Sequence, residues 1–128
     1  MELVSIIVLL ALIEYFVFGA LVGWARGKYN VPAPAISGDP IFERYYRVQA
    51  NTLEQLMGFI PAIVVYGYYG NPQIAAGLGV VFIISRVVYL LGYVKDPGKR
   101  ALGFVTGWLA TIYMLVAGVV AAARALLA

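Results

Sequence analysis

Three dipeptides, Asp39-Pro40, Asn71-Pro72 and Asp96-Pro97, cut an almost continuously apolar chain into four lengths, and that punctuation limits the folds open to it. In each pair, a residue suited to capping a helix N-terminus precedes a proline, whose fixed φ and missing N–H fit the first helical position. Proline also disfavours helix at the residue before it, so each pair closes one segment and opens the next. The pattern predicts helices over about Glu2 to Ala25, Pro40 to Tyr69, Pro72 to Tyr93 and Pro97 to Leu126. At 1.5 Å per residue, about 20 to 25 residues cross a hydrocarbon core. The second helix is longer, so its first turns project past the hydrocarbon while Leu56 to Tyr69 lies within it, with a kink expected at Pro61.

The residues are 63% hydrophobic and 12% charged, against about 25% charged in soluble domains. Such a chain has too little polar surface to coat a globule, which predicts an all-α integral membrane protein, a four-helix bundle in one domain over residues 1–128. Leu3 to Trp24 is too long for a signal peptide, lacks a basic leading region and carries Glu14, so it reads as the first span. Without Cys or His, the chain has no disulfide, no thiolate or imidazole ligand for a metal, and no Cys nucleophile or His base. A strong nucleophile must arrive with a ligand.

Loop one carries Arg26 and Lys28 with Arg44 and Arg47 close behind, and loop three carries Lys95, Lys99 and Arg100, whereas the Tyr69 to Pro72 turn is uncharged. The positive-inside rule then places loops one and three in the cytoplasm and both termini opposite. This distribution accounts for the net charge of +3 without a nucleic-acid partner.

Charge at membrane depth is expensive, about 2.5 to 3.5 kcal/mol for an ionised side chain at the bilayer centre, and several together point to an enclosed polar site. On helix two, Arg44, Arg47, Asn51, Glu54 and Gly58 fall within an arc of about 80°, while Gln49 lies far round the cylinder. Helix two therefore meets polar partners on two sides, as it would at a subunit interface. Arg86, Tyr89 and Tyr93 share a face of helix three, and Arg100 opens helix four beside them. Together with Arg26, these groups would donate to carboxylates or to a thiolate in an anionic pocket. The competing reading is that Glu43, Glu54 and the arginines neutralise one another between helices. Glu14, in the middle of helix one, reads first as a packing residue and secondarily as a proton-coupling group. Gly103 to Gly107 is a GxxxG match that would let helices approach closely.

The run Phe42-Glu43-Arg44-Tyr45-Tyr46-Arg47-Val48-Gln49-Ala50-Asn51-Thr52-Leu53-Glu54 resembles the helix-two signature of MAPEG, membrane-associated proteins in eicosanoid and glutathione metabolism. The resemblance extends to Arg26, Arg86, Tyr89, Gly92, Tyr93 and Arg100, and points to the branch of the leukotriene-forming and related microsomal glutathione transferases and the lipoxygenase-activating protein. It implies a homotrimer with glutathione bound between subunits on the cytoplasmic side, as co-substrate and without a metal. By position, Arg47, Asn51, Glu54, Tyr89 and Tyr93 of one subunit would hold the tripeptide, Arg26 and Gln49 would reach it from the next, and Arg100 would face the sulfur. Gln55 departs from the family, whose eicosanoid enzymes usually have Tyr there, and Gly27 stands where a second basic residue often follows.

The activity so implied is a membrane glutathione transferase or peroxidase for detoxification. Arg100 and Tyr93 would stabilise the thiolate, and a hydrophobic electrophile or lipid hydroperoxide would arrive from the bilayer of an inner membrane or endoplasmic reticulum. Two alternatives stand beside it: a non-catalytic lipid-binding or scaffolding member of the same fold, suggested by Gln55, and a small multidrug exporter built around Glu14.

Overall fold

A computed structural model describes residues 1–128 as four long α-helices, with no strand. They are α1 (Glu2–Tyr29), α2 (Pro40–Tyr69), α3 (Pro72–Lys95) and α4 (Ala101–Leu127), with a 3-10 turn at Pro97–Lys99 ahead of α4. Helix α2 packs against each of the other three, and α3 also packs on α1 and α4. The chain is an integral membrane protein: α1, α3 and the segment Pro97–Leu127 are each long and apolar enough to cross a bilayer. Helix α2 falls short of that criterion because Glu43, Arg44, Arg47 and Glu54 crowd its N-terminal half. It nevertheless continues unbroken through Pro61.

Two of the three Asx-Pro pairs act as the sequence predicts. Asp39 accepts hydrogen bonds from the backbone N–H groups of Ile41 and Phe42, each at 2.9 Å, and Asn71 from those of Gln73 and Ile74 at 2.9 and 3.1 Å. Each satisfies donors that the first helical turn leaves without partners.

The third pair is a correction. Asp96 caps only the 3-10 turn, accepting from Gly98 N–H at 3.0 Å, and α4 proper begins at Ala101. The turn folds back onto α3, so closely that a Cβ on Gly92 would lie 2.6 Å from the Lys99 carbonyl oxygen. Helix α1 runs four residues beyond Ala25, to Tyr29. Arg26 and Lys28 in its last turn complement the helix dipole, and Asn30 ends it in the left-handed region at φ 57°.

The GxxxG match has a physical role. Alongside Gly103 run the Tyr89 backbone N–H and the Ser85 carbonyl of α3, and alongside Gly107 the Ser85 hydroxyl. The contact leaves no space for a side-chain carbon and locks the start of α4 against the middle of α3. The main apolar core lies deeper in the bundle, where Phe59 of α2 stacks on Phe82 of α3 at 3.9 Å between ring centroids. Large apolar side chains such as Phe16, Met57, Leu102 and Val119 remain exposed on the outer faces, as a bilayer or a neighbouring subunit requires.

Candidate functional site

Where α2, α3 and the start of α4 converge, the bundle opens into a cleft of about 640 Å³. Arg47 and Asn51 line it from α2, and Tyr89 and Tyr93 from α3. The 3-10 turn and the first turns of α4 add Gly98, Arg100, Ala101, Phe104 and Val105. Five of the eight predicted ligands thus meet in one chain, although they come from segments more than fifty positions apart. Phe104 and Val105 were not anticipated; they follow Arg100 at the helical spacing of four and five residues, the signal that would have found them.

The electrostatics of the cleft are one-sided. No acid lines it, and the only ion pair in the chain joins the N-terminal ammonium to Glu2 at 3.0 Å. Within one chain no acid forms an ion pair with any of these arginines, as the competing reading would require. Arg100 donates one hydrogen bond to the Pro97 carbonyl at 2.6 Å, and its guanidinium carbon lies 5.8 Å from the Tyr93 ring centroid. The Tyr89 and Tyr93 rings sit 5.5 Å apart, and Phe104 packs at 6.4 Å from Tyr89. A polar floor of guanidinium, amide and phenol donors therefore meets an apolar wall along α4. Such a site suits an anionic ligand whose reacting partner is greasy.

Two arginines of the predicted face serve elsewhere. Arg44 donates to the carbonyls of Val94 and Lys95 at 2.9 and 3.4 Å, capping the C-terminal end of α3. Arg86 is only 1% exposed and lies behind the cleft instead of lining it. It bonds Asn51 at 2.8 Å and Thr52 at 3.0 and 3.2 Å.

The remaining predicted ligands lie away from this cleft. Arg26 donates to the Val31 and Ala35 carbonyls at 3.2 and 2.6 Å, packs over Phe42 at 4.9 Å, and borders a separate polar hollow with Asn30. Gln49 faces α1, its amide nitrogen close against Gly19. Glu54 is exposed and lines a mostly apolar hollow between α1 and α2, with Leu12, Tyr15 and Phe16. Within one chain, then, Arg26, Gln49 and Glu54 lie apart from the cleft at three separate points along the α1–α2 side, which for Glu54 corrects the expectation that it joins Arg47 and Asn51.

Glu14 is 9% exposed. Both of its carboxylate oxygens are buried without a hydrogen-bond partner, so the hydrogen-bonded form of the packing expectation is not met.

Comparison with known proteins gives the family. Residues 4–120 match the family model described as MAPEG family. An uncharacterized Synechocystis protein, sll1147, is 43% identical over 112 residues, covering 88% of this chain and 82% of that one. Human microsomal glutathione S-transferase 2 is 38% identical over 102 residues, 80% of this chain and 69% of its own. Guinea pig leukotriene C4 synthase is 33% identical over 134 residues, 98% of this chain and 89% of its own. The bovine microsomal glutathione S-transferase 2 is 44% identical, but the match spans only 60% of its length.

Proposed function

The chain belongs to the MAPEG family, and from that premise we propose that it is a membrane-bound glutathione transferase with its active site in the α2–α3–α4 cleft. One observation carries the reading. Two guanidinium groups, Arg47 and Arg100, share a cleft that contains no acid. Glutathione brings two carboxylates and a thiol that must ionise, and its relatives' names place glutathione transfer in this family.

In this mechanism, Arg47 and the Asn51 amide hold carboxylate or carbonyl oxygens of the tripeptide while Arg100 stands at the sulfur. A free thiol of pKa about 8.5 is only a few per cent thiolate at pH 7. A guanidinium about 4 Å from the sulfur contributes roughly 4 kcal/mol at an effective dielectric near 20, opposed by desolvation. Half of that lowers the thiol pKa by about 1.5 units, to near 7. The released proton passes to solvent at the open face of the cleft, and Tyr93 donates a hydrogen bond to the thiolate. The thiolate then attacks an electrophilic carbon and expels the leaving group with its electron pair. With a lipid hydroperoxide, it attacks the terminal peroxide oxygen, forming an S–O bond as the O–O bond breaks and an alkoxide leaves to take a proton from solvent; a second glutathione thiol then attacks the sulfenic sulfur, giving the disulfide and water. Phe104 and Val105 give the hydrophobic partner a path from the bilayer.

Arg26 and Gln49 enter this scheme from a neighbouring copy, as the resemblance implies; Glu54, expected beside Arg47 and Asn51 in the same subunit, lies on the α1–α2 side instead and would reach the tripeptide from a neighbouring copy as well. Their place on the α1–α2 side supports a homotrimer in which that face of one subunit borders the cleft of the next. The basic loops would then lie on the cytoplasmic side. The exporter reading is set aside: Glu14 is buried and borders none of the five main hollows, and the chain's relatives are named as glutathione transferases and leukotriene C4 synthases.

A second reading, a lipid-binding member without catalysis, draws on the apolar hollow of about 630 Å³ between α1 and α2. One experiment separates the two. Detergent-purified protein with glutathione and an activated aryl halide, or a lipid hydroperoxide, forms conjugate or disulfide under the transferase reading. Lipid binding with neither product would establish the silent member.

A further inference from the structure

Behind the cleft, Arg86 and three neighbours form a hydrogen-bond chain whose direction is fixed by chemistry. The Thr52 hydroxyl donates its only proton to the Val48 carbonyl at 2.7 Å, so towards Arg86 it can only accept. It receives the guanidinium Nε and Nη2 at 3.2 and 3.0 Å. The same Nη2 donates to Asn51 Oδ1 at 2.8 Å. A guanidinium has five N–H donors and no acceptor, so the amide of Asn51 cannot be reversed without setting two donors against each other. Its oxygen is committed to the buried side. Its NH2 group is left for the cleft, which Asn51 lines. Arg86 also lies 4.2 Å from the Tyr89 ring centroid, supporting a second wall of the same cleft.

We infer that Arg86 is a positioning residue that makes Asn51 a pure donor, so that this part of the cleft accepts a carbonyl or carboxylate oxygen and rejects an ammonium. The inference rests on the glutathione reading for its ligand, but not for its geometry. It assigns the contact of Asn51 to an acceptor end of the tripeptide. It also explains why a guanidinium is kept at 1% exposure with no acid bonded to it. Three polar acceptors, the Thr52 hydroxyl, the Asn51 carbonyl and the Tyr89 ring face, hold it by geometry.

The test has two arms. In the first, asparagine-labelled protein is examined by NMR without ligand; the sequence has only Asn30, Asn51 and Asn71. Arg86→Lys and Arg86→Gln should both move the Asn51 side-chain amide signal and leave those of Asn30 and Asn71 in place. An unmoved Asn51 signal overturns the inference. In the second, calorimetry with glutathione runs a double-mutant cycle. Asn51→Ala should weaken binding about tenfold in the parent, the value of one hydrogen bond to a charged group, but twofold or less in the Arg86→Gln background. Equal losses in both backgrounds would make Arg86 independent of Asn51 and overturn the inference. Asn51→Asp, which places an acceptor towards the cleft, should bind glutathione more weakly than Asn51→Ala, and stronger binding would refute the donor assignment. Should Arg86→Gln not fold, Arg86→Met, which offers Asn51 no donor, serves in both arms. Absence of glutathione binding by the parent would refute the proposed function, while the amide signals would still decide the orientation.

Discussion

Substitution of Gly103 by alanine tests whether the contact between α3 and α4 sets the geometry of the cleft. A methyl group there would lie 2.7 Å from both the Ser85 carbonyl oxygen and the Tyr89 Cα, and tight against the Tyr89 N–H. These are backbone atoms of a helix, which cannot turn aside as a side chain would. Ordinary contact begins near 3.4 Å, so α4 must retreat from α3 by at least about 0.7 Å, and overpacking of this kind destabilises by about 1 to 3 kcal/mol. Arg100, the residue that immediately precedes α4, moves with the start of the helix, away from Tyr89 and Tyr93. A displacement of that size at a reacting centre lowers turnover by about tenfold to a hundredfold. Gly77→Ala is the control, because a methyl group at Gly77 meets nothing within 4 Å; it should be neutral, or stabilising by up to about 1 kcal/mol from helix propensity. The assay pairs thermal unfolding in detergent with conjugation kinetics. If Gly103→Ala unfolds at the temperature of Gly77→Ala and turns over at the parent rate, the argument from close approach is refuted.

Three further outcomes follow from the site. Removing the charge in Arg100→Leu should raise the pKa of bound thiol by about 1.5 units, so the rising limb of the pH–rate profile moves to higher pH by that amount; an unmoved limb would take Arg100 out of thiolate stabilisation. Arg47→Ala should weaken glutathione binding by about tenfold or more, checked by calorimetry, whereas unchanged affinity would contradict its role as a carboxylate clamp. Arg44→Ala removes the donor to the Val94 carbonyl and should lower stability by about 1 kcal/mol while leaving glutathione affinity near that of the parent; a loss of affinity matching that of Arg47→Ala would show that Arg44 reaches the ligand.

Much of the fold was legible because local chemistry wrote it. Asp39 and Asn71 announce their helices by side chain, and the tertiary structure leaves those caps in place. Asp96-Pro97 carries the same signal but yields a 3-10 turn, because the chain must reverse against Gly92 before α4 can start. Sequence spacing contains no trace of that contact. The site was legible in direction and less so in partnership. Helical periodicity grouped Arg44, Arg47, Asn51, Glu54 and Gly58 on one stripe, yet could not say that Arg44 would end on the carbonyls of Val94 and Lys95 or that Glu54 would lie on the side of α1. It likewise placed Arg86 on the face of Tyr89 and Tyr93, where depth decides the outcome: Tyr93 reaches the cleft, while Arg86, two turns deeper, is enclosed by Thr52 and Asn51. The GxxxG match is a weak signal in a glycine-rich membrane chain. It acquired meaning only when Gly103 and Gly107 were seen against the backbone and hydroxyl of α3.

The central claim is that the acid-free cleft of Arg47 and Arg100 takes up glutathione and holds its sulfur as the anion. Rapid mixing of the detergent-purified protein with glutathione at neutral pH, followed by ultraviolet absorbance of the thiolate, tests it most directly. The account predicts a saturable rise in thiolate absorbance with release of protons, needing about tenfold or more glutathione for half-saturation in Arg47→Ala and much reduced in amplitude in Arg100→Leu. Glutathione that binds without any thiolate signal, or a signal of equal size in Arg100→Leu, would contradict it.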